Sequence, residues 1–496
     1  MILLLCMSSV AGLPGQTAHL HIRFDRPLWE WDGFGVNYVE TRHTRDYRVF
    51  PQDYGGFSYL EEADRQKVIR MIFGEEGLKP AIVKVFADGF HEPVNDNDDP
   101  FRMEMEGFDH TTTTGWILYF CREAEKAVKT WDGELVYLAG LYGPPDWMSK
   151  QKCYRGRDLD PAMKLEVAEY IISWAKYLRE TEGLQVKYIS MHNEGDAYGR
   201  WRPDGMDDTA HYSHDFNMWW PSHQIVDFLK IADDILYQNN MLDVKITTGE
   251  TTTWKLLYDK TYGNIMHQNT AREISLDPEA MSNLGLITSH GFGKQYDPGG
   301  VKILREKNPD LHAWTTSYTW GNTDLDIVED ARHLIYDVTC NALIPWAAVH
   351  NDYESDKLSP PMTFRVSSNA NSPFKTNDGK LEVTKAYYFY KQMTRAGQPG
   401  MMVAPVSTSD QAIQAIAFSS GYTTNPDAFV VINKSDRSRP VRIRIAGPEA
   451  PGFQMFRTSE EASGNENYEF IGEIKNNQDV LVYHAPARSA TTFFAK

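Results

Sequence analysis

From residue 33 to about 350 the chain alternates short apolar runs with amphipathic stretches. The runs fall at 33–38, 81–87, 135–141, 186–192, 244–249, 286–290, 313–318 and 342–350. Several are apolar almost throughout, as strands buried on both faces must be. Between them lie stretches with helical spacing at 59–71, 115–130, 161–179, 222–239 and 323–340. The clearest, 161–179, sets Leu165, Val167, Tyr170, Ile171, Trp174, Ala175 and Leu178 on one broad face. Eight strands with intervening helices predict an α/β fold, a (β/α)8 barrel over 33–385. A last helical stretch, 384–395, stops at Ala396-Gly397-Gln398-Pro399-Gly400.

Beyond residue 386 the period changes from helical to alternating. Runs at 412–419, 428–433, 441–445, 453–458, 470–475, 480–484 and 490–495, parted by turn residues, predict a β-sandwich over 386–496. The early alternating run 18–24 precedes the first barrel strand, so the segment 18–32 is expected to join that sandwich. No internal repeat occurs.

The start of the chain, Met1-Ile2-Leu3-Leu4-Leu5-Cys6 followed by Ser8-Ser9-Val10-Ala11-Gly12, reads as the apolar core and cleavage region of a signal peptide over 1–17, without its basic region. The run is too short to span a bilayer. Export to the periplasm or medium is expected, and Cys6 is a candidate lipidation site. The other cysteines, Cys121, Cys153 and Cys340, show no metal-binding spacing and are either one bridge with a thiol left over or three free thiols.

A net charge of −18 in 496 residues disfavours nucleic acid as a partner. The 13 Trp and 26 Tyr suit a carbohydrate partner, whose apolar faces stack on flat rings. No phosphate-loop or dinucleotide motif is present, so no cofactor is expected. Asn95-Asp96-Asn97-Asp98-Asp99 lacks the Gly and distal Glu of a calcium loop and reads as a solvated acidic loop. The Asp- and His-rich segment 204–215 reads as a long loop shaping a cleft, so no metal is expected.

The strongest chemical signal is Asn193-Glu194, at the end of the fourth strand. Carboxylates at the C-terminal ends of barrel strands share one cleft. Glycosidic cleavage commonly takes two, one to protonate the leaving oxygen and one to attack the anomeric carbon or activate water. Glu194 is the acid/base candidate, with Asn193 holding a sugar hydroxyl.

A fourth strand ending in Asn-Glu resembles the retaining glycoside hydrolases of clan A. Gly33-Phe34-Gly35, Tyr142-Gly143-Pro144-Pro145-Asp146-Trp147-Met148, Val430-Val431-Ile432-Asn433-Lys434-Ser435 and Ala487-Arg488-Ser489-Ala490-Thr491-Thr492 resemble glycoside hydrolase family 30. Val83-Lys84-Val85-Phe86-Ala87-Asp88-Gly89 is nearer to family 59, the galactocerebrosidase-like enzymes. The resemblance covers nearly the whole chain. It implies a barrel-plus-sandwich glycosidase that acts on a β-glycoside with retention.

The chain departs from that pattern at one position. The families' seventh strand reads roughly Trp-x-Thr/Ser-Glu; here it is Trp314-Thr315-Thr316-Ser317. Serine without an adjacent base is a poor nucleophile and carries no charge. The favoured expectation is a nucleophile-disabled variant with Glu replaced by Ser317. The alternatives are a natural enzyme using another carboxylate (Glu250, Glu40 or Asp88) and a non-hydrolytic sugar-binding homologue. His290, Trp346, Trp147, Trp320, Asp88, Tyr38 and Arg42 are further candidates for substrate contact.

Overall fold

The computed structural model describes residues 17–38, 56–87, 89–104, 109, 113–153, 156–196, 198, 217–262, 266–318, 325–351, 373–377, 379–447 and 450–496. Eight parallel strands close a barrel. In chain order they are strand 1 (Gly33–Asn37), strand 2 (Ile82–Ala87), strand 3 (Val136–Leu141), strand 4 (Val186–Ser190), strand 5 (Lys245–Thr247), strand 6 (Leu284–His290), strand 7 (Ala313–Ser317) and strand 8 (Ala342–Leu343). The apolar runs form strands because their residues are covered on both sides, by helices outside and by one another within.

Inside the barrel the side chains form layers. Ile82, Leu138, Leu286, Trp314, Ala342 and Ile344 fill the lower part, and Phe86, Tyr142, Trp346 and Ala347 gather above them. Parity along strand 1 is set by its glycines. A Cβ at Gly35 would collide with Ile344 and Ile82 inside the barrel. Gly33, Gly35 and Asn37 therefore face inward, while Phe34, Val36 and Tyr38 belong to the core between barrel and helices.

The helix Lys164–Glu180 buries the stripe read from the sequence, Trp174 and Leu178 included, and Pro161 starts the turn before it, with Asp160 accepting from the Ala162 amide at 3.1 Å. The stretch 323–340 is not one helix. Asp326–His333 is α-helical, then Leu334–Val338 widens to a π turn that ends on Thr339 at φ +70°. Strand 8 also stops early, at Leu343. Pro345 has no N–H to offer a ladder, and Val349–Asn351 instead pairs with Phe374–Asn377 in a separate small sheet.

Two sheets make the sandwich. One has six strands: Met402–Val403, Ile413–Ser419, Ala428–Asn433, Ser489–Ala495, Gly452–Ser459 and Asn467–Lys475, in that order. The other has four: Val406–Thr408, Ala18–Arg23, Arg439–Ala446 and Val480–Ala485. Ala18–Arg23 thus lies inside a sheet, parallel to Arg439–Ala446 and antiparallel to Val406–Thr408. The helix Lys385–Ala396 joins sandwich to barrel: Tyr390 donates to the Gly35 carbonyl at 2.7 Å, and Gln392 donates to Thr458 at 2.9 Å. Trp31 packs on both Phe34 and Phe418 across the same seam. Cys121, Cys153 and Cys340 are unbridged. Among the described residues no helix is long and apolar enough to cross a membrane. The leader-like residues 1–16, and with them Cys6, lie outside the described residues.

At the N-terminal end of the barrel Asp32 ties two strands together. It accepts from Trp314 Nε1 at 2.6 Å and meets His312 Nδ1 at 2.8 Å. The bond to Asp32, only partly offset by burial, raises the His312 pKa. A raised histidine adds stability that is fully present below its unfolded pKa and disappears as pH rises through the folded value. The thermal midpoint is therefore expected to fall from pH 6 to 9 more steeply in the native chain than in His312→Gln, as measured by scanning calorimetry. Equal slopes would remove the pair from the account.

Candidate active site

Strand 4 runs out at Ser190, but its path continues beside strand 5 through a bridge between Asn193 and Glu250. The Glu194 amide donates to the Glu250 carbonyl at 2.6 Å, and the Glu250 amide to the His192 carbonyl at 3.1 Å. Two carboxylate residues are thereby fixed on neighbouring strand ends. Glu194 sits at φ +49°, a left-handed conformation that costs a non-glycine residue about 1–3 kcal/mol and concentrates at functional sites. The turn depends on packing around His192. Its Nδ1 accepts from the Gly195 amide at 3.2 Å, and its ring lies where a Cβ of Gly249 would be. Gly249 itself is at φ +77°. Burial drives the His192 pKa down to about 3, so the ring is neutral.

His290, at the end of strand 6, joins the two carboxylates. Its Nδ1 is 3.2 Å from Glu194 Oε1 and its Nε2 is 3.4 Å from Glu250 Oε2. Lys84, on strand 2, completes the chain. Its Nζ donates to Glu250 Oε2 at 2.7 Å and to the Thr316 carbonyl at 3.3 Å, and it lies 4.5 Å from the centre of the Phe86 ring. Lys84 and Glu250 are both wholly buried. Burial alone would raise the Glu250 pKa; the Lys84 charge and the His290 bond outweigh it and the net shift is downward. His290 moves upward, because its bonds to Glu194 and Glu250 outweigh burial and the Lys84 charge. The result is a line of groups, Glu194, His290, Glu250 and Lys84, across the C-terminal mouth of the barrel. Such a line can hold one carboxylate ionised while a second exchanges a proton.

Ser317 closes strand 7 beside this line. It pairs with His290 in the ladder, after a bulge at Thr315. Its hydroxyl is buried and has no hydrogen-bond partner among the described residues. Asn193 donates to Asn217 Oδ1 at 3.2 Å, and its own Oδ1 is buried with no partner among the described residues. Trp346 clusters with Phe86, Tyr142 and Ala347, with Phe90 and Phe292 against them; Phe86 and Tyr142 stack at 4.1 Å. Trp147 is half-buried and donates to the Glu92 carbonyl at 3.0 Å. Tyr38 stands elsewhere: its ring stacks on Phe120 at 4.3 Å in the helical layer, so the substrate contact expected of it does not fit its place. Asp88, Trp320, Glu40, Arg42 and the segment 204–215 lie outside the described residues. The acidic loop at Asn95 is internally bonded, with Asp99 N donating to Asn97 Oδ1 at 2.7 Å. Among the described residues no group of three or more His, Cys, Asp or Glu is arranged to hold a metal ion.

Lys84 was not a sequence candidate. The available signal was a lone cation in the otherwise apolar strand Ile82–Ala87, every position of which is buried. A lysine there needs a buried anion.

An eight-stranded barrel joined to a two-sheet sandwich, with Asn-Glu just beyond strand 4, has the fold of the family 30 glycoside hydrolases of clan A, and comparisons with known proteins uphold that resemblance. No protein-family profile matches the chain. The glucuronoxylanase XynC of Bacillus subtilis is 18% identical over 389 residues, which is 76% of this chain and 77% of that protein. The catalytic domain of family 30 xylanase C from Talaromyces cellulolyticus superimposes with a TM-score of 0.69 at 14% identity, covering 96% of this chain and 100% of that one. The endo-β1,6-glucanase BT3312 does so with a TM-score of 0.66 at 15% identity, covering 96% and 94%. At this identity it is the superpositions that establish a common fold.

Proposed function

We propose that this protein is a glycoside hydrolase acting on β-linked glycans, with Glu194 as the proton donor to the leaving oxygen. The observation that carries the reading is the placement of Glu194: at the cleft end of strand 4, in strained backbone, with its carboxylate against His290 at the end of strand 6. The Trp346, Tyr142 and Phe86 rings, clustered in the upper barrel with Phe86 against Lys84, suit the apolar face of a sugar. Similar proteins bear the names xylanase and glucanase, which points to polymers or oligomers of β-linked xylose or glucose. Such polymers lie outside cells, in accord with the leader-like start of the chain. Turnover of xylan, β-1,4-glucan and β-1,6-glucan, followed as new reducing ends, is the test. Release from at least one by the native protein, lost in Glu194→Gln, is expected; release that persists in Glu194→Gln would defeat the assignment.

Ser317 supports a second reading. A buried hydroxyl with no partner at the end of strand 7 is what remains when a larger polar side chain is cut back. On that reading the protein binds β-glycan oligosaccharides without cleaving them, and Ser317→Glu confers cleavage.

A further inference from the structure

Strand 7 ends on Ser317 where a carboxylate is expected, and a second carboxylate is bonded to the neighbours of that position. Glu250 leaves strand 5, and its Oε2 is held by Lys84, whose Nζ also bonds the carbonyl of Thr316, the residue before Ser317. His290, the ladder partner of Ser317, bonds the same Oε2 from the other side. The Glu250 carboxylate is thus linked to Ser317 through two neighbours, Lys84 on the Thr316 carbonyl and His290 in the ladder. Oε1 of Glu250 is buried and has no partner among the described residues. One oxygen anchored and ionised while the other is uncommitted is what a carboxylate nucleophile requires.

We infer that Glu250 is the nucleophile of this enzyme, a strand 5 carboxylate doing the work of the missing strand 7 one, with Lys84 and His290 as its positioning residues. The inference rests on the hydrolase reading above. In the first step Glu250 Oε1 bonds the anomeric carbon as the glycosidic C–O bond breaks. The bond's electron pair leaves with the aglycone oxygen, which takes the Glu194 proton. In the second step a water attacks the anomeric carbon, gives its proton to Glu194 and displaces the Glu250 carboxylate, so configuration is retained overall.

Trapping tests this on the native protein. With 2,4-dinitrophenyl 2-deoxy-2-fluoro-β-xyloside or -β-glucoside, replacing the 2-hydroxyl by fluorine slows both steps, while the good leaving group dinitrophenolate restores the first, so the glycosyl-enzyme accumulates. One dinitrophenolate released per chain is expected, with a mass gain of one fluoroglycosyl group on the peptide holding Glu250. Glu250→Gln should show neither and should lose at least 10³-fold in turnover of dinitrophenyl β-glycosides. A label on any other residue, no label from a protein that hydrolyses those glycosides, or undiminished turnover in Glu250→Gln overturns the inference. A label on another residue, or undiminished turnover in Glu250→Gln, leaves the hydrolase reading standing without Glu250. Should the native protein be inert while Ser317→Glu turns over, the Glu250 assignment falls and the non-cleaving reading of the native chain replaces the hydrolase one. If both are inert towards every β-glycoside and β-glycan offered, the hydrolase reading falls with it.

Discussion

Glu194→Gln is expected to reduce kcat/KM by about 10²–10⁴ on natural β-glycans, the contribution of a positioned general acid. At about 1.4 kcal/mol per decade, that is roughly 3–6 kcal/mol of lost transition-state stabilisation. The amide is the shape of the acid and can still bond His290, so the loss reports proton donation and not a collapsed turn. The size of the loss should depend on the leaving group. A sugar hydroxyl departs as an alkoxide unless it is protonated, whereas dinitrophenolate departs unaided. With dinitrophenyl β-glycosides the first step of Glu194→Gln should be nearly native and the second slow, because no base activates water. Stopped-flow kinetics should then show a burst absent from the native protein. A loss equal for good and poor leaving groups would show that Glu194 orients substrate and moves no proton.

The second large effect is structural. Gly249→Ala places a methyl group in the His192 ring and forces an alanine into a left-handed backbone. Overpacking costs about 1–3 kcal/mol and the conformation about 1–3 more, so a destabilisation of about 2–6 kcal/mol is expected. His192 cannot yield freely: its carbonyl accepts from Glu250 and its Nδ1 from Gly195. Whatever relieves the clash therefore shifts Glu194 and Glu250, and activity should fall along with the thermal midpoint. Gly115→Ala is the control. It opens a helix, and its Cβ would meet nothing within 4 Å, so the midpoint should stay within about a degree. Equal midpoints for the two variants would show that the turn at Gly249 is looser than its geometry implies.

The barrel was legible because parallel strands buried on both faces are apolar along their length, and because strand 4 ends so abruptly on Asn193-Glu194. The sandwich was legible from alternation, down to the early strand that joins it. What could not be read was depth and direction. Tyr38 follows strand 1 closely enough to invite a place in the cleft, yet one residue of parity sends it outward while Asn37 points in. Ser317 poses a question in one dimension that only three can address. The linear order separates Lys84, Glu250, His290 and Thr316, and their convergence arises from barrel closure. Glu250 was a bare alternative in the sequence; the buried cation that orients it carried no signature beyond being out of place in an apolar strand.

The position of Ala18–Arg23 inside its sheet has a consequence for biosynthesis. Its parallel neighbour includes Val441, the register partner of Ala18. At about 5–20 residues per second, translation makes the early strand wait on the order of 20–80 s for that partner to emerge. Throughout that time an alternating apolar strand is available to any passing edge, and the barrel can close only late in it, once strand 8 at Ala342–Leu343 is made. The sandwich therefore cannot fold as a C-terminal afterthought. Its assembly is a late annealing of the two ends of the chain, and the early strand is the segment with most to gain from a chaperone.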